Sequence, residues 1–147
     1  MMADRHGPYR SIRFLLEFDD IAKAGFARCR LPTSRTDVIE YREGTDPPTS
    51  RQLAGRNHVG PLVLESGVTD ESIDLFEWRQ RVERGDVDGA RQSVAIVLLD
   101  EEGNPGPRWE IRRAWPSRYV APTLAADGED IAVETLELVH EGLERVS

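Results

Sequence analysis

A mainly β, antiparallel sandwich or barrel with one flanking α-helix is the fold that this 147-residue chain predicts. Three observations point to it. Short β-rich runs recur along most of the chain, a single stretch carries helical periodicity, and one central segment carries neither pattern.

The first run, "SIRFLLEF", places Ile12, Phe14, Leu16 and Phe18 on one face of an extended segment, the period-two signature of a half-buried strand. "AGFARCRL" sets Ala27, Cys29 and Leu31 opposite Phe26, Arg28 and Arg30, and "DVIEYR" and "PLVLES" are two further β-rich runs. Together the four read as two hairpins, the second with an oversized tip. That tip is residues 43–58, "EGTDPPTSRQLAGRNH". Connections in compact domains usually take about four to six residues, and a loop beyond about 12 to 15 is usually functional or disordered.

"TDESIDLFEWRQRVERGD" differs, because Ile73, Leu75, Phe76, Trp78 and Val82 recur at three- and four-residue steps. Thr69 or Asp70 can cap the start and Gly85 can end it, which makes this the helix, with Phe76 and Trp78 on the packed face. Arg79, Arg81 and Arg84 suit the negative pole of its dipole and read as helix electrostatics rather than a nucleic-acid patch. "SVAIVLL" is nearly continuous in apolar residues, as expected of a strand covered on both faces, and "DEEGNPGP" turns it toward "RWEIRRAW". The last segment, "DIAVETLELVHEGLERV", stays open on periodicity alone. Ala132, Leu136, Val139, Leu143 and Val146 fit helical spacing, while Ile131 with Val133 and Leu136 with Leu138 fit strand spacing with a phase slip between them.

Composition narrows the function classes. With 39% hydrophobic residues the chain can bury the core of one domain, residues 1–147. There are 27 acidic against 19 basic side chains, a net charge of −8, which argues against wholesale neutralisation of nucleic-acid phosphates and against nucleic-acid-specific binding. Of the bases only Lys23 is a lysine, and arginine suits interfaces because its planar fork pairs carboxylates bidentately. No apolar run reaches the roughly 18 residues of a membrane span, and "MMADRHGPYRSIRF" lacks the apolar centre of a signal peptide. Synthesis and assembly are expected in the cytoplasm, without membrane insertion by the monomer. Cys29 is the one cysteine and reads as a small buried apolar residue.

No phosphate loop, dinucleotide fingerprint or nucleophile elbow occurs, and "HEGLE" lacks the second histidine of a metalloprotease helix. The reading is not an enzyme, with no catalytic residue, cofactor or metal site assigned. Trp78, Trp109 and Trp115 read as core rather than as a ligand pocket. A small β-barrel that encloses a ligand is the competing class.

The order of segments carries a more specific signal. "EYREG", "VLLDEEGN", "AWPSRY" and "ETLELVHEGLE", together with "LFEWRQRVERG", resemble in sequence and in order the inner tube protein of contractile phage tails and of phage-tail-like extracellular injection systems. The resemblance covers nearly the whole chain. It implies the tail-tube fold, six monomers closed into a ring, and rings stacked into a hollow tube that sheath contraction drives through a target envelope. The implied partners are further copies of the chain, the sheath protein, baseplate, spike and tube-terminating proteins, and protein cargo in the lumen. The finished particle would be a phage tail or a released extracellular body.

The resemblance also implies that the terminal segment is a long strand, with a bulge or a passage to a neighbouring subunit near Glu134 and Thr135. For residues 43–58 it implies an extended loop or hairpin that touches neighbouring subunits and the adjoining ring. The expected contact residues are Arg42, Glu43, Asp46, Pro47, Pro48, Arg51, Leu53, Arg56 and His58. Pro47 and Pro48 stiffen the projection, Gly55 permits a turn, and Arg51 and Arg56 reach carboxylates across an interface. The chain departs from the family's usual Gly-Leu pair with Arg30-Leu31 and is poorer in lysine. A paralogue that starts or ends the tube, and the inner tube of a type VI secretion system, remain as alternatives.

Overall fold

The computed structural model describes residues 8–10, 13–18, 21–23, 26–42, 44, 51–128 and 130–147. In chain order the elements are β1 (Phe14–Phe18), β2 (Ile21–Lys23), β3 (Phe26–Arg30), β4 (Ser34–Tyr41), β5 (Arg51–Val59), β6 (Leu62–Gly67), a 3-10 turn (Asp70–Ser72), α1 (Ile73–Glu83), α2 (Val87–Ala90), β7 (Gln92–Leu99), β8 (Pro105–Val120), β9 (Val133–Val139) and β10 (Leu143–Arg145).

Two antiparallel sheets share one long strand. The 16-residue β8 pairs through its first part with β7 on one side and β10 on the other, and through Trp115 to Val120 with β9. One sheet therefore runs β2-β1-β7-β8-β10 and the other β8-β9-β6-β3. At the crossing Arg113 has φ 51°, a left-handed conformation uncommon outside glycine. The register slips again between Pro116 and Arg118. Proline has no N–H to give to a ladder, so a bulge is where a strand accommodates it. The Pro116 carbonyl accepts instead from Arg79 Nη1 at 3.0 Å, which ties α1 to the strand.

The core lies between the sheets and under α1: Leu16 and Phe18 of β1, Leu62 and Leu64 of β6, Val94 and Ile96 of β7, Ile111 and Ala114 of β8, and Leu136 and Leu138 of β9 meet Leu75 and Trp78 of the helix. Trp78 is buried edge-on to Phe18 at 5.4 Å and donates its indole N–H to the Ala90 carbonyl. Phe76 corrects the expected packed face. It stays about a third exposed (36%) and packs edge-on against Tyr119 of β8 at 5.4 Å. The helix also starts later than Thr69 or Asp70 predict, with Ser72 at the cap position. The Ser72 hydroxyl serves the preceding turn, accepting from the Thr69 N–H and donating to its carbonyl. Gly85, with φ 94°, ends the helix as expected.

The expected hairpin pairings are corrected as well. β1 pairs with β2 and β7, and β3 pairs with β6 rather than with β1. A bulge between Phe26 and Arg28 breaks the expected alternation, so Phe26 packs against the core together with Cys29 and Leu31. Burial pushes the Cys29 thiol up to about 12. Ile12 lies outside the described residues. The 92–99 strand and its turn follow the sequence: Val94 to Val97 are all buried, and Asp100 Oδ1 closes the turn by accepting from the Glu102 and Asn104 N–H groups at 2.9 and 2.8 Å.

The terminal segment is strand, as the resemblance implies, but without the bulge. β9 pairs with β6 in unbroken register from Val133↔Gly67 to Leu138↔Leu62. The phase slip arises because Glu134 occupies an inward position that alternation shares with Leu136 and Leu138. The ladder breaks later, at residues 140–142, before β10.

Candidate subunit-interface hairpin

Residues 43–58 are not one long loop. Arg51 to His58 belong to β5, which pairs antiparallel with β4 as a two-stranded sheet of its own. "DVIEYR" thus finds its partner inside the expected loop, and "PLVLES" pairs instead with β3 and β9. Neither periodicity nor burial could reveal β5, since most of its residues are exposed and both of its faces mix polar with apolar side chains.

The ribbon is pinned at its base, where the Gly60 N–H donates to the Thr33 carbonyl at 2.9 Å beside buried Pro32. Above that, a bulge sets Gly55 and Arg56 of β5 opposite the single residue Asp37 of β4. His58 Nε2 lies 2.8 Å from Asp37 Oδ2 and Arg35 Nη1 donates to Asp37 Oδ1 at 2.8 Å, while the Thr36 hydroxyl donates to Asn57 Oδ1 at 2.6 Å. The hydrogen bond from His58, then that from Arg35, holds the Asp37 carboxyl below its ordinary value. Gly55 sits within β5 rather than at a turn. A Cβ there would lie 3.0 Å from Ile39 Cδ1, so glycine makes room for a cross-strand side chain.

Beyond the bulge the two faces are separable by register. Tyr41 with Arg51 and Ile39 with Leu53 stand on one face, and Val38 with Ala54 and Glu40 with Gln52 on the other. Val38 (66%), Ile39 (51%) and Leu53 (46%) are exposed, as is Tyr41. Of the expected contact residues, Arg42 follows β4, while Arg51, Leu53, Arg56 and His58 lie on β5. His58 faces inward on Asp37, whereas Arg56 is exposed. Glu43, Asp46, Pro47 and Pro48 lie outside the described residues. Val38, Ile39 and Tyr41 were missed as contact candidates, although "DVIEY" is richer in apolar residue types than the segment that follows it.

A lone two-stranded ribbon is marginally stable in water, and apolar side chains on both of its faces gain nothing by exposure. Among the described residues no group of three or more His, Cys, Asp or Glu is placed to hold a metal, and no helix is long and apolar enough to cross a membrane.

The family model described as T4-like virus tail tube protein gp19 matches residues 10–144. Among solved structures, a chain of the six-fold symmetrised baseplate of the anti-feeding prophage (AFP) is 29% identical, with 97% of each chain covered and a TM-score of 0.82. A chain of the extended sheath-tube complex of PVC, an extracellular contractile injection system, is 23% identical over 95% of this chain and 93% of that one, with a TM-score of 0.82. Hcp1 from Flavobacterium johnsoniae is 14% identical over 90% and 93% of the two chains, with a TM-score of 0.57. At those identities the last two show a shared fold alone. No curated protein sequence matches.

Proposed function

The chain belongs to the T4-like virus tail tube protein gp19 family, a family of structural tail tube proteins rather than enzymes, and from that premise we propose that six copies close into a ring and that rings stack into the hollow inner tube of a contractile injection particle or phage tail. The observation that carries this reading is the β4–β5 ribbon, which among the described residues pairs with no other strand and exposes Val38, Ile39, Tyr41 and Leu53. Burying those side chains against a second copy supplies a favourable term that the monomer lacks. Arg42, Arg51, Leu53, Arg56 and the segment holding Glu43, Asp46, Pro47 and Pro48 are assigned to the same contact.

Ring closure also answers an edge problem. The described sheets end in short strands, β2 on one and β3 on the other, and pairing such edges with a neighbour removes open hydrogen-bonding groups. The sheath protein would surround the tube, baseplate and spike proteins would hold one end, and a terminator the other. An acidic lumen would weakly repel nucleic acid and acidic protein cargo. Subunits would be made and assembled in the cytoplasm before release of the particle.

A second placement, at the baseplate end of the tube, is favoured by one observation: the AFP baseplate chain is 29% identical, against 23% for the PVC sheath-tube chain. Light scattering on the purified chain tests the main reading. The expected species is a six-fold multiple of the 16.6 kDa monomer or larger, and monomer alone at every salt concentration and protein concentration tried would refute it.

A further inference from the structure

We propose that successive rings are joined head to tail through charge: the acidic tip of the β7–β8 hairpin in one ring seats on an arginine cluster at the far end of the same two strands in the next. This inference rests on the tube reading above.

β7 and β8 pair from Leu99↔Pro105 beside the tip to Gln92↔Ala114 at the other end. Seven strand residues at about 3.3 Å each put these ends about 23 Å apart, so they lie at opposite ends of the sheet. The tip carries Asp100, Glu101 and Glu102 in succession. The Asp100 carboxylate is turned inward to hold the turn, and Gly103 completes it at φ 89°. Glu101 and Glu102 are exposed at the apex. Two cations lie beside Glu101: Arg10 Nε is 3.8 Å from its Oε1, and Arg13 Nη1 donates to its carbonyl at 3.5 Å.

The far end has the opposite chemistry. Arg113 Nε and Arg91 Nη1 both donate to Glu141 Oε2, at 2.8 and 3.3 Å, and Arg112 Nη2 donates to the Glu141 carbonyl at 3.3 Å. Arg91 Nε also lies 3.6 Å from Asp88 Oδ1. Three guanidinium groups thus gather over two carboxylates. Arg113, then Arg91 and Arg112, hold the Glu141 carboxyl below its ordinary value. A guanidinium has five N–H donors, and a single carboxylate oxygen shared by two of them leaves donors for an incoming carboxylate. Arg113 is presented from the left-handed turn where β8 passes between the sheets.

The chain as a whole carries −8, so two stacked rings repel at long range unless opposite charges meet locally. An acidic tip at one end and a basic cluster at the other meet that need with a single surface pair. The contact is heterologous and does not close on itself, which is the condition for an open filament rather than a capped pair of rings.

The test is a charge swap read by electron microscopy of tubes and light scattering of rings, with circular dichroism to confirm folding. E101R/E102R and R112E/R113E are each expected to leave rings but abolish tubes. Mixing the two kinds of ring, or combining all four substitutions in one chain, is expected to bring tubes back. Should R112E/R113E misfold, R112E alone mixed with E101R/E102R rings takes its place. Wild-type tube lengths from either single-end variant, or no recovery in the combined or mixed samples, would overturn the proposal. Wild-type protein that forms no rings at all would instead refute the tube reading beneath it.

Discussion

The Tyr119 hydroxyl donates a 2.6 Å hydrogen bond to Oε2 of Glu134, a residue only 5% exposed whose other carboxyl oxygen has no partner among the described residues. Tyr119 packs against the core and edge-on to Phe76. Removing the donor with Tyr119→Phe leaves both oxygens of a buried carboxyl group without a partner, which costs about 1–3 kcal/mol. Urea denaturation checks this, and an unchanged midpoint contradicts it.

The same pair gives an alkaline prediction. Burial, then the bond to Glu134, raises the Tyr119 hydroxyl from 10.0 to about 12. A raised folded-state value means that the neutral form is favoured in the fold. Its stabilising contribution is full below pH 10 and is lost as pH rises toward 12. Stability of the wild-type chain should therefore fall across that interval, and Tyr119→Phe should remove part of the fall. Cys29, raised from 9.0 to about 12, supplies a further part that the substitution leaves in place.

The two aromatic residues of α1 should separate cleanly. Trp78→Ala empties a site at the centre of the core and should cost about 3–5 kcal/mol. Phe76→Ala gives up an edge-on contact with Tyr119, worth about 1 kcal/mol. Thermal denaturation of the two variants measures the difference, and equal losses would contradict the packing described.

Cys29 should be inert in the folded chain. The thiolate is the reactive form, and a half-buried thiol raised to about 12 holds little of it at pH 8. Maleimide labelling should be slow in buffer and rapid in denaturant. Prompt stoichiometric labelling of the native protein would contradict the burial.

Ile39 and Leu53 face each other across the ribbon and are exposed in the monomer. Replacing both with Asp should therefore change monomer stability by no more than about 0.5 kcal/mol per site, yet abolish assembly. A large stability loss would show that these side chains pack within their own chain.

Much of the sandwich was legible. α1 announced itself through Leu75, Trp78 and Gly85, and the 92–99 strand through its continuous apolar run, because both elements bury a regular pattern. Strand pairing was less legible, since β3 meets β6 only across the whole intervening ribbon and no local signal encodes that register. Bulges hid more. The slip after Phe26 changed which residues of β3 face inward, and Pro116 lay in a strand that its chemistry argues against. β5 was invisible for a different reason: a ribbon exposed on both faces has no hydrophobic alternation to read. Glu134 disguised β9 by placing a carboxyl group where alternation calls for an apolar side chain, and the family resemblance, not periodicity, assigned that segment to strand.

If the β4–β5 ribbon serves other subunits rather than its own core, excising it should spare the fold and stop assembly. Gly60 and Thr33 are already hydrogen-bonded at its base, so residues 34–59 can be replaced by a short Gly-Ser connection without separating β3 from β6. Negative-stain electron microscopy of the wild-type and excised chains, side by side, is the deciding measurement. Six-fold rings and tubes are expected from the wild type, and a folded, soluble chain without tubes from the excised protein. Tubes of normal length from the excised chain would contradict that expectation.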